Sequence, residues 1–200
     1  INYYETDATP YEGGYVDGKY TSIDFIKKTA MYGSEPARFA FKDAFVTYSK
    51  IEGLEELVKD ACRYPVERKI ENMEKFYAQF EAWRWYYYEG MKRNDEYLIN
   101  ISISNYVLFA GRLILAYNET LFPYHKWFMR VLADVSSKPD NLLQYMNKVL
   151  ETKSAESVEL LYNSIVNFHT WTTSDKHWCI RFMMDSELNW LEGCVPIADL

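Results

Sequence analysis

Cysteine is scarce in this sequence. The three present, Cys62, Cys179 and Cys194, lie far apart and form no Cys-x-x-Cys pair. An odd, scattered set excludes a dense disulfide scaffold, and a reduced, cytoplasmic setting is expected. Positive charge is also short, with 22 Lys and Arg against 29 Asp and Glu and a formal net charge of −7. Nonspecific nucleic-acid binding releases counterions through a basic surface, so no nucleic-acid polymer is expected as a partner. An acidic total still admits a small basic pocket. It also admits nucleotide chemistry through metal ions, because carboxylates hold the metal. No uninterrupted apolar run approaches the roughly 18 residues that mark a membrane span. The longest, Tyr106 to Tyr117, is interrupted by Gly111 and Arg112. With no secretory signal pattern either, no membrane association is expected. The G-x-S-x-G, P-loop and Rossmann fingerprints are missing, as are internal repeats and low-complexity tracts. The first residue is Ile1, not Met, and the chain is expected to be a fragment or to have lost its start.

Apolar residues make up 48% of the chain, enough for a true core in place of disorder. Aromatic residues are dense, with 18 Tyr, 11 Phe and 6 Trp. Tyr and Trp bury large areas but need partners for their polar tips, which favours grooves and wet pockets over a purely aliphatic interior.

Residues 1–62 read as mixed α/β. After the turn signal "EGG", the stretch Tyr15 to Ser22 reads as a strand. Its period of two puts Tyr15, Asp17, Lys19 and Thr21 on one face and Val16 and Tyr20 on the other. Ser22 and Asp24 can cap a helix over "IDFIKKTAMY". A second short strand is expected over Ala44 to Ser49, and a helix over "GLEELVKDACRY". From Pro65 the pattern turns helical. Ile70, Met73, Tyr77, Phe80, Trp83, Tyr87 and Met91 step by three and four along one stripe. Asp95 to Tyr117 is apolar on most sides, as a central buried helix would be. Helices are expected over Tyr124 to Val135, from "KPDN" onward, and after Ser154, whose surroundings resemble a capping box. In the last helix Ile180, Met184, Leu188 and Leu191 form the expected inward stripe, and the tail "CVPIADL" reads as extended. The fold class is α+β: an incomplete small mixed sheet at the N-terminus (1–62), then a mainly α, up-and-down helical bundle (63–200).

Several residue groups could carry chemistry. Asp17, a carboxylate on a strand face, could hold a metal or act as a base. An exposed aspartate near a turn, paired with Lys19, would give the same pattern. Tyr124, His125 and Lys126 sit at a helix start just after Pro123. A lysine there is unfavourable beside the positive helix end unless an anion uses both, and a helix start plus lysine makes a phosphate seat. A solvated Lys126 beside ring packing is the plainer reading. His169, His177, Cys179 and Asp185 match no standard zinc spacing. "WRWYYY" (Trp83 to Tyr88) reads as core and groove lining. Asp185 and Glu187 read as a solvated helix face or as polar partners near a cleft. Ser34, in "GSEPAR", reads as a turn before a helix.

Four stretches, "YVDGKYTSIDFI", "AFVTYS", "LAYNETLFPYHKWFMRVL" and "DSELNWLEGCVPIADL", occur in an order that resembles the C-terminal part of a bacterial nucleotidyltransferase of the DNA polymerase-β-like superfamily. The "FPYHKW" corner and the closing "DSELNW" are the most specific. The resemblance implies a nucleoside monophosphate passed from a nucleoside triphosphate to a hydroxyl acceptor, with Mg²⁺ held by three carboxylates. It implies that Asp17 is the third carboxylate, a catalytic metal ligand. It gives Lys126, with His125 and Tyr124 as neighbours, to the triphosphate. The family's Gly-Ser turn followed by D-x-D does not occur here. "GSEPARFAFKDAF" follows the strand of Asp17 and carries only Asp43. Two of the three metal ligands are therefore missing from this chain, which alone is expected to be inactive. An exposed sheet edge would invite homo-oligomers. The alternative is a non-catalytic helical module that binds nucleotides or proteins. A helical ribonuclease with Arg four to six residues before His is excluded, since no histidine here has such an arginine.

Overall fold

The computed structural model describes residues 4–172 and 176–193, the side chains of 4–9 and 15–17 excepted. The chain is mainly helical with two short strands, and it forms two compact units. The first runs to Tyr64 and adds Leu121–Lys126; the second comprises Pro65–Thr120 and the chain from Trp127 onward.

The first unit opens with a hairpin of β1 (Tyr4–Tyr11) and β2 (Gly14–Thr21). The strands are antiparallel, with Ala8 opposite Asp17 and Thr6 opposite Lys19. The two-residue turn closes through Gly13, whose φ of 85° suits a residue without a side chain. Helix α1 (Ile23–Tyr32) follows directly, because the Ser22 hydroxyl accepts the Phe25 N–H at 3.2 Å. Ser34 caps α2 (Glu35–Phe39) in the same way, and Pro36 pre-sets its first turn. Helix α3 (Leu54–Ala61) starts from Gly53 at φ 73° and packs on α1.

The expected mixed sheet is not found. Ala44–Ser49, read as a second strand, has no regular structure, and the described residues contain no strand beyond the hairpin. Alternating apolar residues make a strand only beside a neighbour that supplies hydrogen bonds, and among the described residues none does so here. Asp43 turns the chain at φ 60°, and Phe45 and Tyr48 stay largely exposed.

The second unit is built on α4 (Lys69–Arg93) and α5 (Glu96–Tyr117), joined at Asn94 in the left-handed conformation and restarted by Asp95, which accepts the Leu98 N–H at 3.0 Å. They run antiparallel: Phe76 meets Phe109 and, one turn on, Phe80 stacks on Tyr106 with ring centres 4.6 Å apart. Helices α6 (Phe128–Asp134), α7 (Leu142–Thr152), α8 (Ala155–Phe168) and α9 (Trp178–Asp185) complete the described part. Gly111 is required where α6 meets α5, because a Cβ there would run into the Phe128 ring. Helix α5 is long and apolar enough to cross a bilayer on length and composition alone. Its apolar residues, among them Ile103, Tyr106, Leu113 and Ile114, are buried within this unit, the pattern of a core helix.

The stripe on α4 holds in its middle, where Phe80 and Tyr87 are fully buried, and frays at its ends, where Ile70 and Met91 are exposed. The segment expected as a helix from Tyr124 begins as a 3₁₀ turn, His125–Trp127, and becomes α-helical only at Phe128. Helix α7 starts after Asn141, at φ 58°, and not at the proline. The inward stripe expected on the last helix is wrong. Ile180, Met184, Leu188 and Leu191 are all exposed, because α9 is only two turns long and docks through Phe182. Phe182 and Trp178 pack on Ala78 and Ala82 of α4. The tail 194–200 lies outside the described residues.

Candidate functional site

The corner after α5 begins with three buried residues, Leu121, Phe122 and Pro123, and then turns outward. Tyr124 makes that turn at φ 68°, an uncommon conformation for a bulky side chain. Backbone strain of this kind persists only where the surroundings hold it, and it clusters at functional sites. Beyond it Tyr124, His125 and Lys126 are exposed. The rings support one another, with Phe122 and Tyr124 both edge-on to His125 at 5.8 and 4.6 Å. The buried half anchors the corner, and the exposed half displays an imidazole and an ammonium side by side.

The anchor is a carboxylate. Glu35, buried at the start of α2, accepts the Phe122 N–H at 2.8 Å. One turn later Arg38 is 3% exposed and donates to four backbone carbonyls. Its Nε reaches Gly33 O at 3.0 Å and its terminal nitrogens reach Ala30, Arg63 and Asp60 O at 2.9, 3.2 and 3.5 Å. These carbonyls lie at the C-terminal ends of α1 and α3, where partial negative charge gathers, so one guanidinium staples both helix ends. "GSEPAR" is thus more than a turn before a helix: it brings Glu35 to the corner and Arg38 to the helices. Its sequence signal was a capping Ser34 followed by an acid and a base three residues apart.

The same short helix borders a cavity of about 540 Å³, lined by Lys19 and Thr21 of β2, Phe25 of α1, and Pro36, Ala37, Ala40 and Phe41. Tyr124, His125 and Lys126 are not among its lining residues. Asp17 lies two residues from Lys19 on β2, opposite Ala8; its side chain lies outside the described ones. The first unit therefore contains the strand of Asp17 and the corner of Lys126, with α2 touching the cavity on one side and the corner on the other. Among the described residues no three His, Cys, Asp or Glu side chains gather as metal ligands. One aspartate is a partial donor set for Mg²⁺, so no chemical step is routed through the metal here.

In the second unit the polar groups concentrate between α4 and α8. Arg84 makes a two-pronged pair with Glu159 at 3.0 and 2.9 Å, and its guanidinium lies 4.0 Å over the Tyr162 ring. Tyr88 donates to Glu159 at 2.5 Å, while Tyr77 and Tyr162 both donate to the buried Glu81, at 2.6 and 2.9 Å. Burial, then the hydrogen bond to Glu159 and its charge, push the Tyr88 phenol up to about 12. Burial first and Glu81 second push Tyr77 higher still. These phenols stay neutral donors, which suits cross-linking of helices better than acid–base work. The residues weighed for zinc do not come together. His169 packs between Tyr117 and Trp171, Asp185 pairs with Arg181 at 2.6 Å, and only His177 and Cys179 touch. Glu187 accepts from the Tyr86 hydroxyl at 3.3 Å, the polar-partner reading of that residue. "WRWYYY" divides as its helical phase requires, with Tyr87 buried and Trp85 half exposed.

Comparison with family models, with curated proteins and with solved structures found no match.

Proposed function

We propose that this chain is the C-terminal part of a metal-dependent nucleotidyltransferase, in which residues 1–62 end the catalytic domain and residues 63–200, apart from the corner Leu121–Lys126, form an up-and-down helical bundle. The reaction moves a nucleoside monophosphate from a nucleoside triphosphate to a hydroxyl acceptor. One observation carries the reading. The corner Leu121–Lys126, more than a hundred residues beyond Asp17, belongs to the same compact unit as the strand of Asp17 and is gripped there by buried Glu35. A corner so fixed, strained at Tyr124 and displaying His125 and Lys126, suits a triphosphate. Lys126 supplies the cation, and His125 and Tyr124 supply a polar edge and a stacking surface. Asp17 would hold Mg²⁺, which supplies charge neutralisation at the phosphates when bound. The free thiols of Cys62 and Cys179 suit a reduced, cytoplasmic setting, and the open edges of the hairpin suit pairing with another chain.

Calorimetric titration of a nucleoside triphosphate with and without Mg²⁺ tests this. Metal-dependent heat that is lost in Asp17→Asn is the expected result. Metal-dependent heat unchanged in Asp17→Asn would remove residue 17 from the site. Binding indifferent to Mg²⁺ would favour the second reading, a non-catalytic helical nucleotide-binding or protein-interaction module, for which the missing D-x-D speaks.

A further inference from the structure

We infer that Cys179 and His177, which line an aromatic groove, form a reactive thiol–imidazole pair that exchanges with flat, uncharged disulfides. The pair stands in the second unit and uses none of the residues assigned to nucleotide binding. His177 Nδ1 lies 3.0 Å from Cys179 Sγ and also accepts the Cys179 backbone N–H at 3.4 Å. A nitrogen that accepts from an amide carries a lone pair and no proton. The sulfur facing it is then the donor, and the thiol proton points along the line to a base.

Cys62 supplies the contrast. It is also a free, half-buried thiol, but it donates to the Lys59 carbonyl at 3.2 Å, and a carbonyl cannot take its proton away. The setting of Cys179 also differs. Cys179 lines a groove of about 380 Å³ together with Trp85, Tyr86, Trp178 and Phe182, and the Glu187 carboxylate lines it too. Rings on this scale favour a flat partner, and the carboxylate disfavours an acidic one. Among the described residues, the other charged groups nearby are engaged elsewhere. The Lys176 ammonium contacts the Met184 sulfur, Arg181 pairs with Asp185 and Glu71, and the Tyr86 hydroxyl bonds Glu187. His177 is thus the group placed to govern the thiol.

In the exchange, Cys179 Sγ attacks one sulfur of the incoming disulfide as its proton passes to His177 Nδ1. A new S–S bond forms, the old one breaks, and the departing thiolate takes the proton back from the imidazolium. The products are a mixed disulfide on Cys179 and one free thiol.

The test is timed labelling of the whole chain with dithiodipyridine, a neutral aromatic disulfide, and with hydroxyethyl disulfide, each cysteine being followed by peptide mass spectrometry. Cys179 is expected to react at least about tenfold faster than Cys62 at neutral pH, the low end of what a positioned base supplies. The ratio should be larger for the aromatic probe. His177→Asn keeps a side chain able to cap α9 but removes the base. It should bring Cys179 down toward the Cys62 rate and erase the imidazole step in the pH–rate profile, with helicity unchanged. Equal rates at the two cysteines, or an unchanged Cys179 rate and profile in His177→Asn, would overturn the inference. An aromatic preference no greater at Cys179 than at Cys62 would overturn the role of the groove.

Discussion

In each unit of this protein an arginine links two helices, and the two arginines work differently. Arg38 is almost wholly buried and is satisfied by backbone carbonyls at the ends of two short helices. Arg84 is partly exposed and is satisfied by a carboxylate and an aromatic face between two longer helices. Among the described residues the first unit buries few of its large apolar side chains, leaving Met31, Phe45 and Tyr48 exposed, so its helices are fixed by their polar ends. The second has a ring-rich core that would pack without the ion pair. Short helices are marginal alone and need such fastening, whereas long amphipathic ones gain most from packing.

The contrast can be broken from either side. Phe80 lies between Tyr106 and Tyr162 with ring centres at 4.6 and 5.8 Å and no exposure. Phe80→Ala should lower the stability of the second unit by about 4 kcal/mol, read as a shift in the urea midpoint. Arg38→Ala should cost the first unit about 3 kcal/mol, because it leaves buried carbonyls without their charged donor. Arg84→Ala, at a partly exposed pair, should cost only about 1 kcal/mol. Equal losses for the two arginines would mean that the difference in burial is not what sets their worth.

The phenols sharpen the comparison through pH. The Tyr88 phenol is raised from 10.0 to about 12 by burial and by Glu159, and Tyr77, Tyr106 and Tyr162 are raised in the same sense. An unfolded tyrosine loses its proton first, so the unfolded state binds fewer protons once the pH passes 10. Stability from these groups is therefore complete below about 10 and falls as pH rises toward about 12. Alkaline unfolding followed by tyrosine absorbance should show ionisation and loss of helix together. Free titration of all the tyrosines before any loss of helix would contradict the placement of this cluster.

How much was legible beforehand follows the same division. The central, buried character of α5, the middle of the α4 stripe and the caps at Ser22 and Ser154 could be read directly, because composition, spacing and caps are local physics. The expected strand at Ala44–Ser49 failed because a strand depends on a neighbour that the local sequence does not reveal. The stripe on α9 failed because two turns hold too few residues to fix a phase: Phe182, which docks it, sits between Ile180 and Met184, which do not. Of the candidate site, the corner's residue types were visible in "FPYHKW". Its grip on Glu35, 87 positions earlier, was not, since a carboxylate that accepts a backbone N–H leaves no pattern in sequence. The pairing of Arg84 with Glu159 was hidden because charged residues 75 positions apart carry no sign of which meets which.

The central claim is that the fixed corner presents Lys126 to a triphosphate. The most direct measurement is the affinity of a nucleoside triphosphate, in the presence of Mg²⁺, for the parent chain and for Lys126→Ala. The loss of one charge-assisted contact predicts binding weaker by about tenfold or more, with the thermal transition unchanged because the side chain is exposed. Equal affinity in the two proteins would contradict the claim.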